Sequence, residues 1–467
     1  MPTTTVLDPD RLLPVEPRVR DLARELYQAV ASEPIISPHG HVPAAQLLDG
    51  VRFADPTDVF LTHDHYVTRM LIAAGASFAE LGLDPTRPAD PRAAWQILAS
   101  NWHRFAGTAS GYWLAHEFAS LFDVHEELDA SNAVRVYDAI DARLADPAFT
   151  PRSLFRRFGI EVLATTDDPL DPLDAHARLA ADPRFDGRVL PTFRPDAYLD
   201  PEADGFAERV ERLLATTARP ASFAGYLGAL EERRAHFIRH GAVSADHGVV
   251  EPFTVDLDPA EAERLFGAAV RGALDPAEAR RFRGHMLLQM ARMSVDDGLV
   301  MTLHPGVRRN HHRPTFERYG ADTGHDIPVR TELTDNLRPL LERFGLEPRF
   351  HLVLFAVDET VYSREIAPLA GFYPSVYVGA PWWFLDAPDA IQRWRSAVTE
   401  TAGFYRSSGF IDDTRAFLSI PARHDTARRA DAGFLARLVA EGRVSLPTAH
   451  RIARDLVDAI PREVFKL

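Results

Sequence analysis

Near the start of the chain, "PIISPHGHVPAAQLL" places His39 and His41 one residue apart, at the end of a short apolar run and between prolines. In a β-strand, residues two apart share a face, so two imidazoles there can hold one metal ion. The same spacing also arises at an ordinary polar strand end. Cysteine is absent, so a tight metal site must be built from histidine and carboxylate. Far along the chain, "SSGFIDDTRAF" supplies Asp412 and Asp413. Taken alone, Asp413 suits a helix N-cap or a salt-bridge partner of Arg415 better than a metal ligand. Two histidines and one carboxylate with open positions would suit zinc or another divalent ion at a catalytic centre.

Anion recognition is the second chemistry on offer. With 52 Lys+Arg against 67 Asp+Glu, the formal charge is -15, so an anionic ligand would have to be drawn by local arginines rather than by the general field. Arg194 in "PTFRPD", Arg309 in "LHPGVRRN" and Arg415 in "DDTRAF" each follow an apolar run. Each guanidinium presents a fork that matches a carboxylate; a single such arginine is more often structural, but several at one barrel face favour an anionic ligand. His65 and Tyr66 in "DHYVTR" offer a donor and a proton shuttle, or a helix with one buried aromatic. "PWWF" suits a core, or an apolar wall beside a sugar.

These residues need elements to position them. Short β-rich runs occur at "PIISPH", "IEVLATTDD", "GRVLPTFRPD", "GAVSADHG", "LVMTLHPG", "FHLVLFAVDE", "PSVYVGAP" and "SSGFIDD". Between several of them lie amphipathic helix-length segments, such as "DGFAERVERLLATTA", "DPAEARRFRGHMLLQMARMS" and "APDAIQRWRSAVTETAGFYR". Alternation of strand and helix predicts a parallel sheet, and eight such units predict an α/β fold of the (β/α)₈ TIM-like barrel type. In that fold functional residues gather at the strand ends, which here are His39, Asp167, Asp168, Arg194, Asp246, His247, His304, Asp358, Trp382, Trp383, Asp412 and Asp413. Barrel closure would also bring Asp413 beside His39 and His41, because the first and last strands become neighbours. A doubly wound sheet is the rival, but no Gly-x-Gly-x-x-Gly follows any of these runs. Residues 42–158 exceed a normal connection and predict a mainly helical insertion within one domain spanning 1–467.

Composition narrows the partners. A chain of 467 residues, 46% hydrophobic and 25% charged, is globular. No basic run tracks a phosphate backbone, which argues against nucleic acid. The opening residues do not read as a signal peptide, and no stretch approaches the ~18 apolar residues of a membrane span. The expectation is a cytoplasmic protein.

Taken in order, "PIISPHGHVP", "LTHDHYVTRMLIAAG", "ATTDDPLDPLDAH", "VLPTFRPD", "ADHG", "LHPGVRRN", "DTGHDIP", "PWWFLD" and "GFIDDTRAFLSIPARH" resemble the uronate isomerases (glucuronate isomerases), a branch of the amidohydrolase-like metal enzymes. The resemblance covers nearly the whole chain. It implies metal ligation by His39, His41 and Asp413, with zinc the expected ion. It implies substrate contacts from His65, Arg194, Arg309 and Arg415, and proton transfer by Tyr66 and Asp413. The chain departs from relatives at Ser37 and Pro38, usually Asp and an aromatic, and at His311 and His312, where asparagine is commoner. The implied reaction interconverts aldo- and keto-hexuronates, such as glucuronate with fructuronate or galacturonate with tagaturonate, in a homo-oligomer. The alternative is a metal-dependent hydrolase or decarboxylase of the same superfamily, in which His247 and His304 would add ligands.

Overall fold

Runs such as "VMTLHP" are mainly apolar, which suits strands covered on both faces. In the computed structural model, which describes residues 7–467, that run is buried at every position. The strands are β1 (Ile35–Ser37), β2 (Ile160–Ala164), β3 (Arg188–Leu190), β4 (Thr192–Phe193), β5 (Ser244–Val249), β6 (Val300–Pro305), β7 (Val307–Arg308), β8 (Ile327–Pro328), β9 (Leu352–Leu354) and β10 (Val376–Val378). They form two parallel sheets, ordered β1-β2-β3 and β10-β9-β6-β5-β4, and an antiparallel pair β7-β8. The protein is therefore α/β with parallel sheets.

Two expected strands differ from the sequence reading, each for a local reason. "GRVLPTF" divides at Pro191, which has no N–H to donate. Its first half pairs with β2 and its second with β5, and one parallel bridge between Asp167 and Phe193 links the sheets. "SSGFIDD" is not a strand; only Ser407 bridges, to Val378. Gly409 turns the chain there with φ +74, where a Cβ would lie 2.9 Å from the carbonyl oxygen of Leu456. The run cannot stay extended past that point.

The long amphipathic segments form helices Phe206–Thr216, Pro276–Asp297 and Pro388–Ala402. The second begins with a reciprocal cap between Asp275 and Glu278. The third stops at Gly403, φ +74, so "GFYR" falls outside it. Between β1 and β2 lie the helices His65–Ala73, Pro91–Ser100, Ala109–Phe122, Ala133–Leu144 and Pro151–Arg157. They share an apolar core that includes Phe60, Leu71, Trp95, Phe118 and Val136, and that core is completed from far along the chain by Phe417, Leu418 and Ile420. Among the described residues no helix is long and apolar enough to cross a membrane.

Helix Ile420–Ala440 is buried along most of its length. Its Asp425 accepts hydrogen bonds from Arg11 (2.6 Å), Arg429 (2.9 Å) and the Tyr27 hydroxyl, and His116 Nδ1 stands 3.9 Å away. Burial, helped by Arg11 and Arg429 against Asp425, pushes His116 down to about 4. The unfolded chain takes up that proton near 6.5, so the stability held in neutral His116 is lost as pH falls from about 6.5 to about 4. Between pH 6.5 and 5 the loss is about 2 kcal/mol. His116→Gln is expected to lose less stability than the parent over that interval in paired denaturant titrations, and equal losses would count against it.

Candidate active site

β1 ends at Ser37, since Pro38 cannot continue a ladder, so His39 and His41 lie just beyond the strand rather than within it. The backbone N–H of His41 donates to the carbonyl oxygen of Thr414 at 2.9 Å, tying this segment to the one that carries Asp413. The two rings meet edge to face at 5.3 Å. One oxygen of Asp413, Oδ1, lies 3.0 Å from His41 Nε2 and 3.4 Å from His39 Nε2. Asp413 has φ +41, a left-handed conformation that aspartate tolerates better than most residues.

Behind His39 lies Asp246, 0% exposed. It is on β5, in register with Thr302 of β6. Its carboxylate accepts from Thr302 Oγ1 (2.6 Å) and His304 Nδ1 (2.7 Å), pairs with Arg194 Nη1 (2.9 Å) and faces His39 Nε2 at 4.0 Å. A histidine that donates through Nδ1 presents a lone pair at Nε2. His304 Nε2 has no hydrogen-bond partner, and neither has Asp413 Oδ1. The ring of His304 stacks on Phe355 at 4.1 Å and on His39 at 4.8 Å. Ligand atoms of His39, His304 and Asp413 all lie within 4.8 Å of one another.

This donor set fits a divalent cation. Donor atoms around a tetrahedral zinc with bonds of about 2.0–2.1 Å are about 3.3 Å apart, close to the separations at Asp413. The electrostatics agree. Burial alone would raise Asp413, but His39 and His41 outweigh it and hold its carboxyl well below the usual range. At Asp246 the same burial is outweighed by His304, Arg194 and His39. His41 is lowered, chiefly by burial. His39 is raised because Asp246 and Asp413 together overcome its burial. His247 does not join the group: its Nδ1 contacts the Thr302 carbonyl at 3.0 Å.

The expected substrate-binding residues divide between two cavities. The first, about 910 Å³, is lined by His41, Asp64, His65, Tyr66, Arg415 and Arg423. The second, about 580 Å³, is lined by Arg194, Asp196, Gly248, His304 and Arg309. Trp383 contacts residues of both, edge-on to His65 at 5.4 Å and under Arg309 at 4.6 Å, with φ +51. His65 and Tyr66 open the helix His65–Ala73, whose N-cap Asp64 accepts from the Tyr66 N–H at 2.8 Å. Burial, then Arg415, pushes His65 down to about 4, and burial pushes the Tyr66 phenol up. All three arginines already hold carboxylates: Arg194 Asp196 at 2.8 Å, Arg309 Asp326 at 3.0 Å and Arg415 Asp322 at 2.9 Å.

Sequence reasoning placed Asp246 and His304 at strand ends but gave Asp246 no role. The signal for the pair was the register of "ADHG" against "TLHP", which puts both polar side chains in one buried layer. Arg423 carried no signal beyond its place in "SIPARH".

Comparison with known proteins agrees with this geometry. The chain is 51% identical over 469 residues to a uronate isomerase of Corynebacterium efficiens, covering 100% of both. Its structure matches that of glucuronate isomerase from Caulobacter crescentus with a TM-score of 0.96 at 47% identity, covering 98% of this chain and 96% of that one. It also matches a uronate isomerase from Thermotoga maritima with a TM-score of 0.92 at 27% identity, covering 98% and 99%. The family model described as glucuronate isomerase spans residues 18–465. With sequence and fold matched along the whole chain, this protein is an isomerase and belongs to the glucuronate isomerase family.

Proposed function

We propose that this chain interconverts aldo- and keto-hexuronates, D-glucuronate with D-fructuronate and D-galacturonate with D-tagaturonate, by moving a proton between C2 and C1 through an enediol. The observation that carries this reading is the Asp413 carboxylate, held ionised between two imidazoles beside a cavity lined by Tyr66, His65 and Arg415.

His39, His41 and Asp413 would hold a divalent metal, zinc in this reading, with His304 at its edge. Such an ion, when bound, polarises the sugar's oxygens and stabilises charge that develops on them. Asp413 removes the proton from C2 and returns it to C1, which suits a carboxylate kept charged by its neighbours. Tyr66 moves the proton between the two sugar oxygens. Burial keeps its phenol protonated and so ready to donate. His65 is neutral at pH 7 and therefore contributes a hydrogen bond, not a charge. Arg194, Arg309 and Arg415 are the local cations in this reading, and a substrate carboxylate would share them with Asp196, Asp326 and Asp322.

The same reading takes the fold as a (β/α)₈ barrel in one domain, with residues 42–158 as a helical insertion. The His41–Thr414 hydrogen bond and the Val378–Ser407 bridge support it, because they bring residues 407–414 against the segment that follows β1 and against β10.

Coupled assays with D-glucuronate and D-galacturonate, with and without chelator, test the function. Turnover that chelator abolishes is expected, and reaction in heavy water is expected to leave deuterium at C1 of the ketose unless the base is shielded. Absence of turnover on both sugars would end the proposal.

Arg194→Lys tests anion recognition. Lysine keeps the charge but cannot serve Asp196, Asp246 and a substrate carboxylate together. A charged hydrogen bond is worth about 1.5–3 kcal/mol, so kcat/KM is expected to fall about 10–100-fold. Unchanged kinetics would remove Arg194 from the binding set.

A further inference from the structure

Arg423 is 1% exposed and touches four separate parts of the chain. Its Nη1 donates to Asp386 Oδ2 at 2.6 Å and to the main-chain oxygen of Asp412 at 3.4 Å. Its Nε donates to Ser419 Oγ at 3.0 Å. The guanidinium lies against Trp113 at 3.7 Å and faces the Tyr66 ring at 5.3 Å. Ser419 Oγ lies 3.2 Å from Thr414 Oγ1, and the next residue, His424, donates from Nε2 to Asp412 Oδ2 at 3.0 Å. Both neighbours of Asp413 are therefore tied to the start of helix Ile420–Ala440: Asp412 through its carbonyl and carboxylate, Thr414 through Ser419. Asp413 takes its left-handed φ between these two anchors.

Burying a guanidinium is costly unless its donors are used. Arg423 spends its donors on the turn that carries Asp413, on the "PWWFLD" loop and on the helix itself, and spends its flat face on the two aromatics from the segment between β1 and β2. We propose that Arg423, with Asp386, is a positioning residue. It holds residues 412–414 in the conformation that aims Asp413 at His39 and His41, and it seats Tyr66 on the same support. This rests on the reading of His39, His41 and Asp413 as a metal centre.

The molecule contains its own control. Arg395, on helix Pro388–Ala402, is also buried and pairs through two hydrogen bonds, 2.8 and 3.0 Å, with Asp431 of helix Ile420–Ala440, stacking on Trp394 at 4.3 Å. That pair is absent from both cavities and from the Asp413 turn. If Arg423 merely fastened the helix, replacing either arginine would have the same consequence.

The experiment compares Arg423→Met, Arg423→Lys and Arg395→Met in the full chain. Zinc affinity is measured by competition with a chromophoric chelator, and kcat and KM with D-glucuronate. Arg423→Met is expected to lose about 10–100-fold in zinc affinity and a similar factor in kcat with little change in KM, as when an outer partner of a metal ligand is removed. Arg423→Lys is expected to fall between. Arg395→Met is expected to melt earlier yet keep both values. Zinc affinity and kcat as high in Arg423→Met as in Arg395→Met would overturn the proposal. If Arg423→Met does not fold, Asp386→Asn carries the same expectation and the same test. Should the parent bind zinc but turn over no uronate, the function reading fails while the zinc measurement still decides this one.

Discussion

Asp413→Asn is expected to fold normally and to lose at least about 10³-fold in kcat. The substitution preserves shape, and asparagine accepts the φ of +41 that this position requires, so the backbone cost is small. What it removes is charge. Asp413 Oδ1 is the common neighbour of His39 and His41 Nε2, so the amide weakens metal retention at that point. The same change takes away the base that the proposed proton transfer requires, and a positioned base contributes about 10²–10⁴-fold by itself. Circular dichroism and melting temperature check the fold, metal analysis checks retention and a coupled assay reads kcat. A metal-loaded Asn variant with parental kcat would exclude Asp413 as the base.

His39→Ala should have the largest effect on metal content. His39 is 1% exposed and lies among Asp246, Asp413 and His304, so its removal opens a hole that a water cannot fill with the same donor strength. Loss of an outer partner costs about 10–100-fold in metal affinity, and a direct ligand should cost more. The purified variant is therefore expected to carry little metal after dialysis against a weak chelator under conditions where the parent retains it. A variant with full metal content would remove His39 from the centre and leave His41, His304 and Asp413 to be tested in turn.

What the sequence made legible follows from range. The β-rich runs that became β2, β5, β6, β9 and β10 are local patterns, and so are the amphipathic segments that became Phe206–Thr216 and Pro276–Asp297, whereas the third segment was read through the turn at Gly403. "SSGFIDD" misled because its composition suits a strand, whereas Gly409 takes φ +74 at a place where a Cβ would meet Leu456 and Pro461, neighbours that local patterning does not report. The site shows the same division. His39 and His41 announce themselves by spacing. Asp246 becomes a partner of His304 only through the register of β5 on β6, and Arg423 acquires its neighbours only when four distant segments meet. Nothing local indicated that Arg194 and Arg309 would line a different cavity from His65, Tyr66 and Arg415.

The apolar core of the segment between β1 and β2 is closed by Phe417, Leu418 and Ile420, and this has a consequence for biosynthesis. On the ribosome, residues 42–158 emerge long before their closing strip. At roughly 5–20 residues per second, the uncovered apolar face persists on the order of ten seconds or more, the kind of transient surface that chaperones bind. The closing strip follows only a few residues after Asp413, so the covering of that face and the delivery of the carboxylate belong to the same late event. A nascent chain stalled before residue 413 would thus be both sticky and inactive, and release of the full-length chain would cure both at once.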